Sequence, residues 1–249
     1  MKLPAGLPLN VLREYAVLAD GERAALVGPR GEVAWLCAPR WHDDPVFAAL
    51  IGGHGTYAVT PLDERYVWGG YYEPGTLVWR GRWTADDRVA ECRQALAFPG
   101  DPDRVVFLHH LEALKGDAHF AAVLSVGAGF GSAAMTDVHR SGGVWTARAG
   151  AHHVRWSGAE GALWARSDNR LELVIDLPAG DCLDLVLEVA RDPLRGEVPE
   201  PEGAWSATVS SWQAAVPDFG STLAPADTKQ TYAVLRGLTS ATGAMVAAA

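Results

Sequence analysis

The sequence predicts a mainly β protein, an antiparallel super-β-sandwich followed by a short helical linker segment. Three observations carry that expectation. Between residues 15 and 191, short runs of alternating, β-branched and aromatic residues recur at roughly ten-residue spacing, punctuated by Gly, Pro, Asp and Asn. Beyond Arg191 the punctuation gives way to a Pro/Gly/Glu stretch and then to helical periodicity. The chain has 249 residues, 49% hydrophobic and 20% charged, enough to bury a substantial core as one domain with an appendage.

The first strand unit is "AALVGPRGEVAWLC". Residues 24–27 and 32–37 read as strands around a turn at Gly28-Pro29-Arg30-Gly31, in which the proline pre-sets φ and Gly31 suits the exit. In "TLVWRGRWTADDRVAEC" the pair Asp86-Asp87 sits between alternating segments as a turn would. Further strand-like runs are "TYAVTPL", "DRVVFLHHLEAL", "AHFAAVLSV", "GGVWTARAG", "AHHVRWSG", "ALWARSD", "RLELVIDLPAG" and "CLDLVLEVARD". Read in order they suggest an antiparallel meander. So many strands require two stacked sheets, because one wide open sheet would leave a large apolar face in water.

Residues 193–204, "PLRGEVPEPEGA", read as a linker. Trp205, Val209, Trp212 and Val216 then fall on one face of a helix. A second helix is expected from Asp227, with Asp227 and Gln230 as a capping box and Tyr232, Leu235 and Leu238 on the apolar face. The expected division is a sandwich over 1–192, a linker with one helix over 193–226, and over 227–249 the start of a truncated helical domain. The run "GLTSATGAMVAAA" has no polar finish and reads as a cut chain.

A net charge of −9 and a pI near 5.3, without a Lys/Arg run, argue against nucleic acid. The opening "MKLPAGLPLN" is too polar for a leader, and no eighteen-residue apolar stretch occurs, so a cytoplasmic protein without membrane contact is expected. Cys37, Cys92 and Cys182 are isolated in apolar runs and read as reduced, buried thiols. No CxxC supports a zinc site, and neither a metal nor a cofactor is expected. Ten Trp most often mean core, yet Trp also stacks on sugars.

The densest chemistry is "WLCAPRWHDDP", residues 35–45. His42, Asp43 and Asp44 could chelate or form an acid/base pair, but a charged turn before a proline is commoner. Asp44 is best read as the N-cap of a helix beginning at Pro45. His109 and His110 lie in a strand and must face opposite ways, as must His152 and His153. Gly127, Gly129 and Gly131 have Ser132 where a dinucleotide loop needs glycine, so they mark a bend.

Three ordered stretches resemble glycoside hydrolase family fifteen, the glucoamylase and trehalase-like enzymes. They are "LREYAVLADGERAALVGPRGEVAWLCAPRWHDDPVFAALIGG", "YYEPGTLVWRGRWTADDRVAE", and Trp212 with "QTYAVLRGLTSATGAMVAAA". The resemblance implies an N-terminal β-sandwich, a helical linker and an (α/α)6 barrel. It also implies inversion by two glutamates, an acid and a base spaced to admit water. Both would lie beyond Ala249, so no catalytic residue is assigned to this chain. An α-glucoside or oligosaccharide would bind only once the barrel is present. The family's Phe-Asp-Ser-Pro is replaced here by Trp41-His42-Asp43-Asp44-Pro45, and "GAGFGSAAM" stands where the family has "RFDYG". The resemblance also sets the 35–45 loop at the edge facing the barrel. There Arg40 can donate fixed hydrogen bonds to hydroxyls and Trp41 can stack on a sugar. Arg40, Trp41, His42 and Asp43 are therefore the candidate substrate-binding residues, weighed against an interdomain salt bridge and a core Trp. The alternative function is a stand-alone carbohydrate-binding or protein-interaction sandwich.

Overall fold

Alternating side chains along the strands sort this chain into layers. The computed structural model describes residues 9–63 and 65–246. Most of the opening stretch read for a leader, and the three alanines that end the apolar tail, lie outside the described residues. Strands β1 (Ala16–Ala19), β2 (Ala24–Val27), β3 (Val33–Cys37) and β4 (Pro45–Phe47) form a four-stranded sheet in that order. β5 (Thr56–Pro61) opens a second sheet, and β6 (Val67–Tyr72), β7 (Trp79–Ala85), β8 (Arg88–Leu96) and β9 (Arg104–Lys115) build half of a third. β10 (Ala118–Ser125) returns to the second sheet, whereas β11 (Met135–Ser141), β12 (Val144–Ala149) and β13 (His152–Ser157) join the third. β14 (Leu163–Ala165) and β15 (Arg170–Leu177) complete the second, in the order β14-β15-β10-β5. β16 (Cys182–Ala190) then inserts between β13 and β9, giving an eight-stranded sheet ordered β11-β12-β13-β16-β9-β8-β7-β6.

All strand pairings are antiparallel, but the path is not the meander expected. The chain crosses between layers repeatedly, and the sheets bury their inner faces against one another. An isolated bridge between Glu32 and Ala58 links the two four-stranded sheets, which together oppose the eight-stranded one. Strand β9 shows why helices follow. Val105, Phe107 and Leu111 face the sandwich core, whereas Val106 and Leu108 face outward and are also buried. Apolar residues on both faces demand a second cover.

That cover is α1 (Pro201–Ala215) and α2 (Pro225–Gly237). Trp205, Trp212 and Val216 are buried with Val106, Leu108 and Val186, and Trp212 stacks on Phe98 at 3.9 Å. The expected helical face is thus present, but Thr208 occupies its buried centre while Val209 is half-buried. The Thr208 hydroxyl accepts from the Phe98 amide at 3.4 Å, so a polar side chain serves there.

The hairpin of β2 and β3 has the turn expected: the Gly31 amide donates to Gly28 O at 2.9 Å, and Gly31 has φ +75°. A Cβ on Gly31 would lie 2.2 Å from Val59 O, so the glycine serves both the turn and the close passage of β5. Asp86 takes φ +54° in the two-residue turn between β7 and β8. The histidine pairs do split between faces: His109 and His152 are buried, His110 and His153 half-buried.

Three expectations are corrected. Residues 45–47 form β4 rather than a helix, because Val46 and Phe47 are buried through pairing with β3, and Asp44 caps nothing there. The second helix starts at Pro225 with no side-chain cap, since proline fits the first helical turn. Gln230 instead accepts from the Gly75 amide at 3.2 Å and donates to Thr76 O at 2.8 Å, tying α2 to the turn after β6. Lastly, Cys182 is exposed; Cys37 is half-buried and Cys92 buried, and all three are free thiols.

Candidate functional site

Three turns meet at one end of the sandwich: residues 20–23 between β1 and β2, residues 38–44 after β3, and residues 97–103 between β8 and β9. The first is packed with charge. Asp20 Oδ1 accepts the Glu22 and Arg23 amides at 2.9 and 3.0 Å, and Arg23 Nε lies 3.2 Å from Asp20 Oδ2. Arg23 is wholly buried and also donates to Asp101 O. Burial pushes the Asp20 carboxyl up to about 6, against the pull of Arg23 and the amide donors.

The candidate residues of the 38–44 loop divide in two. Trp41 and Asp43 are used for structure. The Trp41 indole N–H donates to Gly21 O at 2.9 Å, its amide donates to Glu22 O at 3.0 Å, and its ring packs with the cluster beneath the helices. Asp43 Oδ2 accepts the Arg40 amide at 3.0 Å, and its other oxygen takes Arg191. Arg40 and His42 face outward. The Arg40 side chain, 43% exposed, donates to Pro102 O at 3.1 Å and to Asp103 at 2.9 Å, and His42 is exposed. The structure therefore brings Arg40, Trp41 and Asp43 into one bonded loop but gives them different tasks. The Arg40 salt bridge lies within the sandwich.

Burial, with Asp43 and Asp44 nearby, pushes the Cys37 thiol up to about 11, so it is protonated at neutral pH and is no nucleophile. Among the described residues no group of three or more His, Cys, Asp or Glu is placed to hold a metal ion.

The end of α2 is tied to the same loops. The Gly21 amide donates to Gly237 O at 2.8 Å, and the Ala241 amide donates to the buried Glu22 carboxylate at 3.0 Å. A Cβ on Gly237 would lie 2.4 Å from Leu77 and 3.2 Å from Ala19, so this glycine lets the helix end approach β1. The charges that hold the site together, Glu22, Arg23, Asp101 and Arg191, escaped sequence reasoning. In sequence they look like ordinary solvated turn residues; the only signal was their recurrence beside Gly and Pro in "ADGER", "PGDPDR" and "RDPLRG".

Residues 7–128 match the family model described as trehalase-like, N-terminal. A trehalase of Mycobacterium tuberculosis is 29% identical over 158 residues, 57% of this chain and 22% of the relative. A trehalase of Mycolicibacterium smegmatis is 32% identical over 96 residues, 36% of this chain and 14% of the relative. The chain thus spans about a fifth or less of the length of these relatives. Over residues 7–128, then, this chain matches a trehalase-like N-terminal domain.

Proposed function

We propose that this chain is the non-catalytic N-terminal portion of a glucoamylase/trehalase-like, family-fifteen inverting α-glycoside hydrolase. In this reading it seats a downstream (α/α)6 barrel and lends the 38–44 loop to the sugar pocket. The two glutamates that protonate the leaving oxygen and activate water belong to the barrel. The observation that carries the reading is the bonded path from that loop to α2, Trp41 Nε1 to Gly21 O and Gly21 N to Gly237 O, which ties the loop to the helix leading out of the sandwich. Arg40 and His42 are the side chains the loop offers to substrate, whereas Trp41 and Asp43 set its shape. The expected partners are an α-glucoside and the barrel itself, with the sandwich over 1–192, the linker over 193–226 and the barrel beginning at 227. No helix of the described residues is long and apolar enough to cross a membrane.

The test is kinetic, in the natural full-length polypeptide. Arg40→Ala removes a charged donor from substrate, a loss of about 1.5–3 kcal/mol or at least tenfold in kcat/KM for trehalose or maltose. Its ion pair with Asp103 is exposed, so stability changes by no more than ~1 kcal/mol. Unchanged kcat/KM would remove the loop from the pocket. Hydrolysis of either sugar by residues 1–249 alone would refute the non-catalytic assignment.

A further inference from the structure

A second concave site lies at the other end of β3 from Arg40. A cleft of about 510 Å³ crosses the outward faces of the two four-stranded sheets. Its floor follows from alternation. Tyr57, Val59, Phe120 and Leu124 point into the core, leaving Ala58, Thr60 and Val123 on the outward face of β5 and β10. These small side chains keep the floor low. Although they face away from the core, Ala58 and Thr60 are 2% exposed and Val123 6%, because the walls rise around them.

The walls carry chemistry of both signs. Glu32 is almost wholly buried on one side, its carboxylate accepting from Asn10 at 2.8 Å and from the Arg30 amide at 2.9 Å. On the other side Arg170 is bonded through Nε to Glu172 and lies 3.6 Å from Asp168. The Thr60 hydroxyl lines the cleft and has no hydrogen-bond partner among the described residues. Opening onto the cleft, this hydroxyl can both donate to and accept from a group placed there.

We propose that this cleft binds a neutral, hydroxyl-rich ligand of about two sugar rings, independently of the Arg40 loop. Its volume lies within the roughly 300–1,000 Å³ of small-ligand sites. Carboxylates, a guanidinium and hydroxyls together match a ligand whose every group both donates and accepts. The local carboxylates and the chain's net charge of −9 disfavour anions.

The test is calorimetric titration of this chain with trehalose, maltotriose and inorganic phosphate. The proposal expects one saccharide site at millimolar affinity that survives Arg40→Ala. Thr60→Val, which keeps the shape and removes the hydroxyl, weakens binding about tenfold, and Ala58→Phe, which fills the floor, abolishes it. Arg170→Ala on the rim provides a variant safe for folding and weakens binding severalfold. Binding of neither saccharide, binding of phosphate instead, or saccharide binding lost in Arg40→Ala but unchanged in both Thr60→Val and Arg170→Ala would overturn it. Because the assay reads binding and not hydrolysis, its result is separate from that of the glycosidase reading.

Discussion

Arg155 and Glu188 form a two-pronged ion pair across two interior strands of the eight-stranded sheet, with Nη2 to Oε1 at 2.9 Å and a second, short bond from Nε to Oε2. The side chains are 8% and 1% exposed. The guanidinium also donates to Gly196 O at 2.7 Å and Glu197 O at 2.9 Å, so the pair that joins β13 to β16 pins the linker as well.

Removing Arg155 leaves the buried Glu188 carboxylate with only the longer contact to Arg104 Nη1 at 3.4 Å, and breaking a buried pair in this way costs up to about 3–5 kcal/mol. Arg155→Ala is therefore expected to lower the urea midpoint strongly and to open residues 192–200 to protease. Glu188→Gln keeps an acceptor and loses less. A protease pattern identical to wild type in Arg155→Ala would show that the linker is held by α1 alone.

Trp212 gives the complementary prediction for the helix. It is 1% exposed and stacked on Phe98, with Arg236 over the other ring system at 5.2 Å from Phe98. Trp212→Ala removes a large buried side chain, for about 3–5 kcal/mol. Trp212→Phe retains the stack and most of the area. Equal losses in the two variants by thermal denaturation would mean that the ring contact does not seat α1.

Much of this architecture could be read from residue pattern, and the misses share a cause. The hairpin around Gly31, the turn at Asp86 and the opposed faces of His109 and His110 are local, set by φ preference and period-two alternation. The helical face of Trp205 and Trp212 was legible for the same reason. What failed depended on distant partners. Val46 and Phe47 look helical beside "AALIGG", but pairing with Leu36 makes them a strand. Gln230 looked like half of a capping box, yet its partners lie some 150 residues away in the turn at Gly75 and Thr76. Of the candidate site, Arg40 and His42 were identifiable as exposed chemistry. The structural duties of Trp41 and Asp43 depended on Gly21 and Arg191, which no local pattern connects to them.

Two buried groups should give opposite pH dependences. His109 stacks on Phe107 at 4.7 Å and meets Tyr57 edge-on at 4.9 Å, and neither ring nitrogen has a partner among the described residues. Burial pushes its pKa down to about 3, below the unfolded value near 6.5. The stability it contributes is present above about 6.5 and is lost as pH falls toward 3. Asp20, raised to about 6, behaves inversely: its contribution is full below about 3.8 and is lost as pH rises through 6. Between about pH 4 and 6 each slope is at most ~1.4 kcal/mol per unit and they oppose. Relative to wild type, His109→Phe should therefore lose stability as pH rises across that window, and Asp20→Asn should gain it. Urea titrations at several pH values check this; pH-independent differences for both variants would exclude these two groups as the source.

Thiol chemistry offers the last prediction. Burial pushes Cys92 up to about 12 and, with Asp43 and Asp44 nearby, Cys37 up to about 11. Cys182 is exposed at the start of β16, but partial desolvation and the carboxylates of Asp184, Glu112 and Asp181 raise its pKa too. A thiolate is the reacting species, so exposure alone does not make this cysteine fast. With an aromatic disulfide reagent near neutral pH, the native chain should titrate one thiol, more slowly than a free cysteine peptide, and all three after unfolding. Glu112→Gln removes a negative neighbour directly across the strand pair from Cys182 and should raise its rate severalfold. Three rapidly reacting thiols in the native protein would contradict the burial of Cys37 and Cys92. No acceleration in Glu112→Gln would leave desolvation, rather than neighbouring charge, as the force that holds the proton on Cys182.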